Sequence, residues 1–288
     1  MEFTNNRNLP DWVAKGLSYS NYNRDGIKFD ISATKLIDSP QISAFWKSHG
    51  SGVIEDVSDR VWSAFGTAVH SVWEDANSSN PDVIMEKRYR HEYSGKIVAG
   101  QIDCYEISTC TISDIKTCGA FKVVKGDYGS WENQLNVCAA LMRHNGYPVE
   151  HLTITAIIKD WSAMKSKTDA DYPDSPIQII KIPLWTFEKQ DQYIEDRIKA
   201  HFDESQKSCS DADRWIRPGK YAVMRKGKKR AVRVLDNQKD ALTWINGPKG
   251  DKKLDSIEER PTLYVRCEQF CKFNQWCDQY QNQGANNE

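Results

Sequence analysis

The 288-residue chain is 39% apolar and 11% aromatic, enough to fill a core, and 39 basic against 40 acidic residues leave a net charge of −1. A field that small attracts no polyanion over the whole surface, so any contact with nucleic acid must be local. The N-terminal MEFTNNRNLPDWVAKG lacks a basic segment followed by an apolar run. No later stretch approaches the ~20 apolar residues that span a bilayer, which excludes a spanning helix and predicts a cytoplasmic protein.

Residues 1–30 are polar, rich in Asn, Ser and Tyr, and predict an irregular segment. A helix is expected from Ser32, whose hydroxyl can cap it, and a second follows Pro40 through ISAFWKSH. In DRVWSAFGTAVHSVWEDA, the residues Val61, Trp62, Phe65, Val69, Val72 and Trp73 recur at helical spacing, which predicts an amphipathic helix with a broad apolar face. Three strands are expected over 83–90, 96–106 and 111–117, parted by turn residues such as Ser94 and Gly95, as an antiparallel meander. WENQLNVCAALMRHNG then predicts a helix ending near Gly146, and LTITAIIKDW a strand. A polar loop, SAMKSKTDADYPDSP, leads to the strand IQIIKIPLW and to the helix EKQDQYIEDRIKAHF, with Tyr193, Ile194, Ile198 and Phe202 inside.

That order predicts an α/β (or α+β) layer domain, a central mixed sheet flanked by helices, over residues 31–206. Residues 207–288 differ in composition and are expected to form an appended module. It holds a helix around Lys239 to Ile245 and the basic run RPGKYAVMRKGKKRAVR. There Arg225, Lys226, Lys228, Lys229 and Arg230 surround Gly227, either as a DNA contact or as a solvated hairpin tip. The last residues, NQGANNE, predict a frayed tail.

In a strand, residues i and i+2 share a face, so Asp114 and Lys116 of SDIKT project together while Ile115 points the other way. In GQIDCYE the same rule groups Gln101, Asp103 and Tyr105. If the two strands pair, Asp103 and Asp114 can converge on one divalent cation, and an oxygen-rich site of that kind suits Mg²⁺ or Mn²⁺. By itself an Asp–Lys pair is a common surface feature of little energetic weight.

Four motifs in order change that balance: FGTAVH ending in His70, GQID with Asp103, DIKT with Asp114 and Lys116, and a helix opening with Gln134 in QLNVCAALM. Their order and spacing resemble the RecB-like branch of the PD-(D/E)XK nucleases, which have a restriction-endonuclease-like core. The chain is also similar to phage proteins of that superfamily, which would place it in a host cytoplasm. The resemblance implies a metal-dependent deoxyribonuclease, an exonuclease acting in DNA recombination, repair or phage DNA metabolism. DNA would be its partner, with a recombination or replication protein as a further one.

By the same resemblance His70, Asp103 and Asp114 would be metal ligands, Ile115 a ligand through its carbonyl, Lys116 the catalytic lysine, and Gln134 a residue that positions Lys116 or the substrate phosphate. Glu86 would add an outer contact. Cys138 stands where relatives commonly carry Tyr. A second reading keeps the fold as a catalytically inactive DNA-binding or assembly protein, although Asp103, Asp114 and Lys116 are intact. A third places the function in the C-terminal module.

With no secretion signal, the eight cysteines predict reduced thiols or a metal site and no disulfide framework. Cys104, Cys110, Cys118 and Cys138 lie in or near apolar runs and are expected as small core residues. Cys267, Cys271 and Cys277 cluster in RCEQFCKFNQWC, and Cys209 is the remaining candidate for a fourth ligand. CRISPR-associated and AddB-type relatives hold a [4Fe–4S] cluster with one cysteine before the nuclease core, where this chain reads IDSPQIS. A [4Fe–4S] cluster is expected here, with zinc as the alternative.

Overall fold

Packing divides the chain into two units, residues 1–206 and 207–288. The structure, a computed structural model, describes residues 2–19, 26, 28–203, 205 and 207–283, so most of the expected C-terminal tail lies outside the described residues.

The first unit begins with β1 (Glu2–Thr4), α1 (Asp11–Ser18), β2 (Ile31–Ser32), α2 (Ala33–Ile37), α3 (Pro40–His49), β3 (Ile54–Asp56) and α4 (Val61–Asn77). Next come β4 (Val83–Tyr93), β5 (Lys96–Glu106), β6 (Thr111–Cys118), α5 (Ala120–Lys125) and α6 (Gly129–His144). The unit closes with β7 (His151–Ile158), α7 (Ala163–Thr168), β8 (Ile177–Ile182) and α8 (Phe187–Phe202).

The expected mixed α/β architecture is present, with the meander β4-β5-β6 antiparallel, β6 parallel to β7, and β8 antiparallel to β7. Ser94 and Gly95, both at positive φ, turn β4 tightly into β5 and so fix the register Tyr93↔Lys96. One flank of β5 carries β4, and the other is shared between β6 and the short parallel strand β2.

The core lies against α6, where every residue from Leu135 to Met142 is buried. Gly100 lets β5 approach this helix closely, since a Cβ there would stand 2.9 Å from Leu141 and 3.3 Å from the Cys138 thiol. Asn136 is fully buried in the same helix, where burying an amide costs free energy unless it is hydrogen-bonded. It offsets that cost by donating to the Pro183 carbonyl and accepting from the Trp185 amide, which fixes the path from β8 into α8.

Two expectations fail at the level of elements. Residues 1–30 are not wholly irregular: β1 pairs in parallel with β3, and α1 is a helix despite the polar composition. Within the expected loop 162–176, the Ser162 hydroxyl accepts from the Lys165 amide and starts α7. By contrast, Ser32 caps α2 as expected, accepting from Lys35.

The second unit contains β9 (Ile216–Arg217), β10 (Lys220–Arg225), β11 (Arg233–Leu235), α9 (Gln238–Asn246), β12 (Asp255–Arg260), β13 (Leu263–Tyr264), α10 (Val265–Gln269) and α11 (Asp278–Gln281). Strand β10 is central to a sheet of order β11-β10-β12, and β9 pairs with β13. Its small core includes Ala222, Val223 and Ala241. Among the described residues no helix is long and apolar enough to cross a membrane.

Candidate active site

The site forms where β5 and β6 part. Their ladder runs only from Glu106↔Thr111 to Cys104↔Ser113. At the next step the Asp103 carboxylate bridges the opening, accepting from the Ile115 amide at 2.8 Å. Because Tyr93↔Lys96 fixes the hairpin register, Glu86 stands opposite Asp103 across β4 and β5. His70 descends onto the pair from α4, its Nδ1 2.7 Å from Glu86 Oε1 and 3.7 Å from Asp103 Oδ1.

Side-chain alternation slips at this point. Ile84, Tyr89, Ile102 and Tyr105 all pack with the core, although strict alternation would set Ile84 against Tyr89 and Ile102 against Tyr105. Met85 and Cys104 turn instead toward a cavity lined also by Trp73, Ser113, Ile115 and Thr155. The slip is marked in β4 by Glu86, a non-glycine residue at φ +50 in the middle of a strand. Such a backbone costs on the order of 1 kcal/mol or more and is tolerated where the surroundings hold it. Here they do: Gln101 Nε2 donates to Glu86 Oε2 at 2.5 Å, and the buried Arg88 donates to Gln101 Oε1 at 3.0 Å. The expected grouping of Tyr105 with Gln101 and Asp103 is therefore wrong, because Tyr105 is buried with its hydroxyl on the Pro148 carbonyl.

Asp114 and Lys116 do share a face. The ammonium lies 2.6 Å from Asp114 Oδ2 and donates to Gln134 Oε1 at 3.2 Å, while Gln134 Nε2 donates to Asp114 Oδ1 at 3.3 Å. The triangle joins β6 to α6 and leaves Asp114 Oδ2 buried with an ion pair but no well-directed hydrogen-bond donor. Ile115 points to the opposite face, where its side chain lines the cavity with Trp73 and Cys104.

The charges bind protons tightly. Burial alone would depress the His70 imidazole, but the Glu86 hydrogen bond and the charges of Asp103, Glu86 and Asp114 outweigh it and raise it to about 9. Burial, and then the neighbouring Asp114, push the Asp103 carboxyl up against the opposing pull of His70 and Lys116. Burial opposes charge on Lys116 as well, yet Asp114 and Asp103 prevail and hold it above its ordinary value. Cys138, one turn beyond Gln134, is buried beneath these groups, its thiol pushed up by burial and then by the two aspartates.

His70, Glu86 and Asp103 bring three ligand atoms within 4.8 Å of one another, and among the described residues no other group of His, Cys, Asp or Glu does so. Asp114, the expected central ligand, is turned toward Lys116 and Gln134 instead. Glu86, expected only as an outer contact, belongs to the tight group. Its place was readable, since a two-residue turn at Ser94 and Gly95 sets Glu86 opposite Asp103 by counting.

Elsewhere the placements are mixed. Helix α4 has no buried residue: of its expected apolar face Val61, Trp62, Phe65 and Val72 are exposed, while Val69 and Trp73 are half-buried. Lys226, Lys228, Lys229 and Arg230 are exposed at the β10–β11 tip, where Gly227 turns at φ +84. Arg225 is not available there: Asp255 holds it at 2.6 and 2.7 Å and it also donates to the Lys249 carbonyl. None of the eight cysteines is in a disulfide; Cys138 is buried as expected, but Cys104, Cys110 and Cys118 are only partly covered. Cys267, Cys271 and Cys277 lie on and just beyond α10, and Gln279 clasps the Cys209 backbone with two hydrogen bonds of 2.8 Å.

Comparison of the sequence with protein-family profiles and with curated proteins gives no match. Among solved structures, the chain is similar to SSO0001 at 16% identity and TM-score 0.46, over 70% of this chain and 88% of that one. It is also similar to a protein named "putative exonuclease" from Eubacterium rectale, at 14% identity and TM-score 0.33, over 66% of this chain and 77% of that one. Likenesses this distant carry no argument about activity, which rests on the side chains themselves.

Two of the raised groups, His70 and Asp103, predict how metal-free protein responds to pH. His70 contributes stability that is complete below its ordinary 6.5 and is lost as pH rises through about 9. Asp103, also raised, contributes in the same sense. In EDTA the melting temperature of the chain should fall between pH 6.5 and 8.5, with a shallower fall in Asp103→Asn. Saturating Mg²⁺ should remove the fall, because a cation replaces the protons. A metal-free melting temperature that holds or rises over this range would contradict the account.

Proposed function

We propose that the chain is a metal-dependent deoxyribonuclease of the PD-(D/E)XK kind, using Mg²⁺ or Mn²⁺ to hydrolyse DNA phosphodiesters as an exonuclease in recombination, repair or phage DNA metabolism. The observation that carries this is the convergence of His70, Glu86 and Asp103 within 4.8 Å, in the same cluster of charges as the Asp114–Lys116–Gln134 triangle. One imidazole and two carboxylates form a nitrogen–oxygen donor set that fits a hard divalent cation, and the imidazole tilts the preference toward Mn²⁺. The buried Asp114 Oδ2 supports that residue as a further ligand, with the Ile115 carbonyl the last. Bound there, the cation would lower the pKa of a coordinated water and neutralise charge on the phosphate.

The chain's own residues supply the rest. Lys116 keeps its proton and stands where it can neutralise charge growing on a phosphoryl oxygen or hold the attacking water. Gln134 fixes the ammonium against Asp114, so that its position does not depend on substrate. Gln101 and Arg88 hold Glu86, and Glu86 in turn orients the His70 ring. The exposed Lys226, Lys228, Lys229 and Arg230 of the second unit would add phosphate contacts.

For the thiols we propose one [4Fe–4S] cluster on Cys209, Cys267, Cys271 and Cys277. Burial, and then the neighbouring Cys267 and Cys277, push the Cys271 thiol up, so these three stand near one another, and tetrahedral zinc is the alternative occupant.

Lys116→Ala should lower cleavage of end-labelled DNA at least about a hundredfold at saturating Mn²⁺ while DNA affinity stays within about threefold, since a lone lysine acts mainly on the transition state. Near-normal turnover would remove the assignment. Anaerobically purified protein should be brown, and Cys277→Ser should bleach it and expose residues 207–283 to protease. A colourless protein with stoichiometric zinc would refute iron, and metal-free protein whose serine variant resists protease equally would refute any site.

A further inference from the structure

Three aromatic side chains are exposed on the two helices α4 and α5, whose residues adjoin the ends of the strands that carry the site. Trp62 is 59% exposed, Phe65 42% and Phe121 73%. Trp62 and Phe65 meet edge to face on α4, with ring centres 6.4 Å apart. Eight residues, about 12 Å of helix, separate Trp62 from His70. Between them Gly66 passes over the end of the catalytic strand, its missing Cβ 3.9 Å from the Thr117 hydroxyl.

The same strip carries positive charge. Lys159 places its ammonium 4.1 Å from the centre of the Trp62 ring, and its backbone amide donates to the Cys118 carbonyl at 2.9 Å. The adjacent Asp160 carboxylate accepts from the Ala120 amide at 2.6 Å, which fixes the start of α5 and hence Phe121. The aromatic row and its lysine are therefore tied to the strand that bears Asp114 and Lys116.

Exposed rings beside a lysine are costly against water and of little use to a purely apolar partner, which would have to desolvate the ammonium. They match a ligand with flat π faces and a phosphate between them. Inside a duplex both faces of each base are already stacked on neighbours, whereas a single strand offers them.

Resting on the nuclease reading above, we propose that Trp62, Phe65 and Phe121, with Lys159, form a stacking platform for the bases of a single DNA strand next to the catalytic centre. One face of Trp62 is taken by Lys159, and the other receives a base. Lys159 meets the backbone phosphate beside it. The platform makes the protein select single-stranded over double-stranded DNA.

The test is fluorescence anisotropy with the full chain, labelled oligo(dT) and a blunt duplex of equal length, in EDTA so that binding is read apart from cleavage. Trp62→Ala should weaken oligo(dT) binding about tenfold and leave duplex binding unchanged, and Trp62→Phe should restore it to within threefold. Lys159→Ala should weaken oligo(dT) binding and reduce its salt dependence by about one phosphate. Equal melting temperatures would show that the variants fold. Unchanged oligo(dT) affinity in Trp62→Ala, or equal losses on both DNAs, would overturn the platform. Loss of self-association in sedimentation without loss of DNA binding would instead make the strip an interface between copies and also overturn it. Absence of cleavage with Mg²⁺ or Mn²⁺ would count against the nuclease reading while leaving this binding result standing.

Discussion

The candidate site depends on one hydrogen bond across an opening in the sheet. Past Cys104 and Ser113 the strands β5 and β6 diverge, and the Asp103 carboxylate takes the Ile115 amide that a ladder partner would otherwise have satisfied. A buried amide without a partner costs about 1–3 kcal/mol, so the carboxylate is held in the gap rather than released to solvent. Its second oxygen faces His70. In the proposed reading a cation would sit at this divergence and Asp103 would be one of its ligands.

Everything near this opening compensates for concentrated charge. Asp103, Asp114 and Glu86 sit on neighbouring strands, with His70 and Lys116 between them. Burial makes their repulsion expensive, which is why protons are bound tightly in the absence of metal. The strained backbone at Glu86 belongs to the same arrangement, for it turns the carboxylate toward His70 at the point where alternation slips in both strands. Gln134 and Gln101 do parallel work on the two sides: each is a neutral amide that fixes a charged group without adding charge.

Sequence pattern revealed the parts of the site that obey short-range rules. Asp114 and Lys116 share a face because they are two residues apart, whereas Gln134, in the second turn of the helix that packs against them, came from the family resemblance. The meander, the Ser32 cap and the helix α6 followed from turn chemistry and periodicity. Tyr105 was misplaced because period-two reasoning has no means of anticipating a slip. Arg225 looked like a free cation until its partner Asp255, 30 residues away, was located. Helix α4 has a core-like stripe that its neighbours cover only in part, and a stripe by itself does not reveal what covers it.

The central claim is that these side chains form a cation site at the β5–β6 opening. Crystals soaked in Mn²⁺ and measured at the manganese edge test it most directly. The account predicts an anomalous peak bounded by His70, Glu86, Asp103 and Asp114 that disappears in Asp103→Asn. A peak elsewhere, or none at that position in well-ordered crystals at millimolar Mn²⁺, would contradict it.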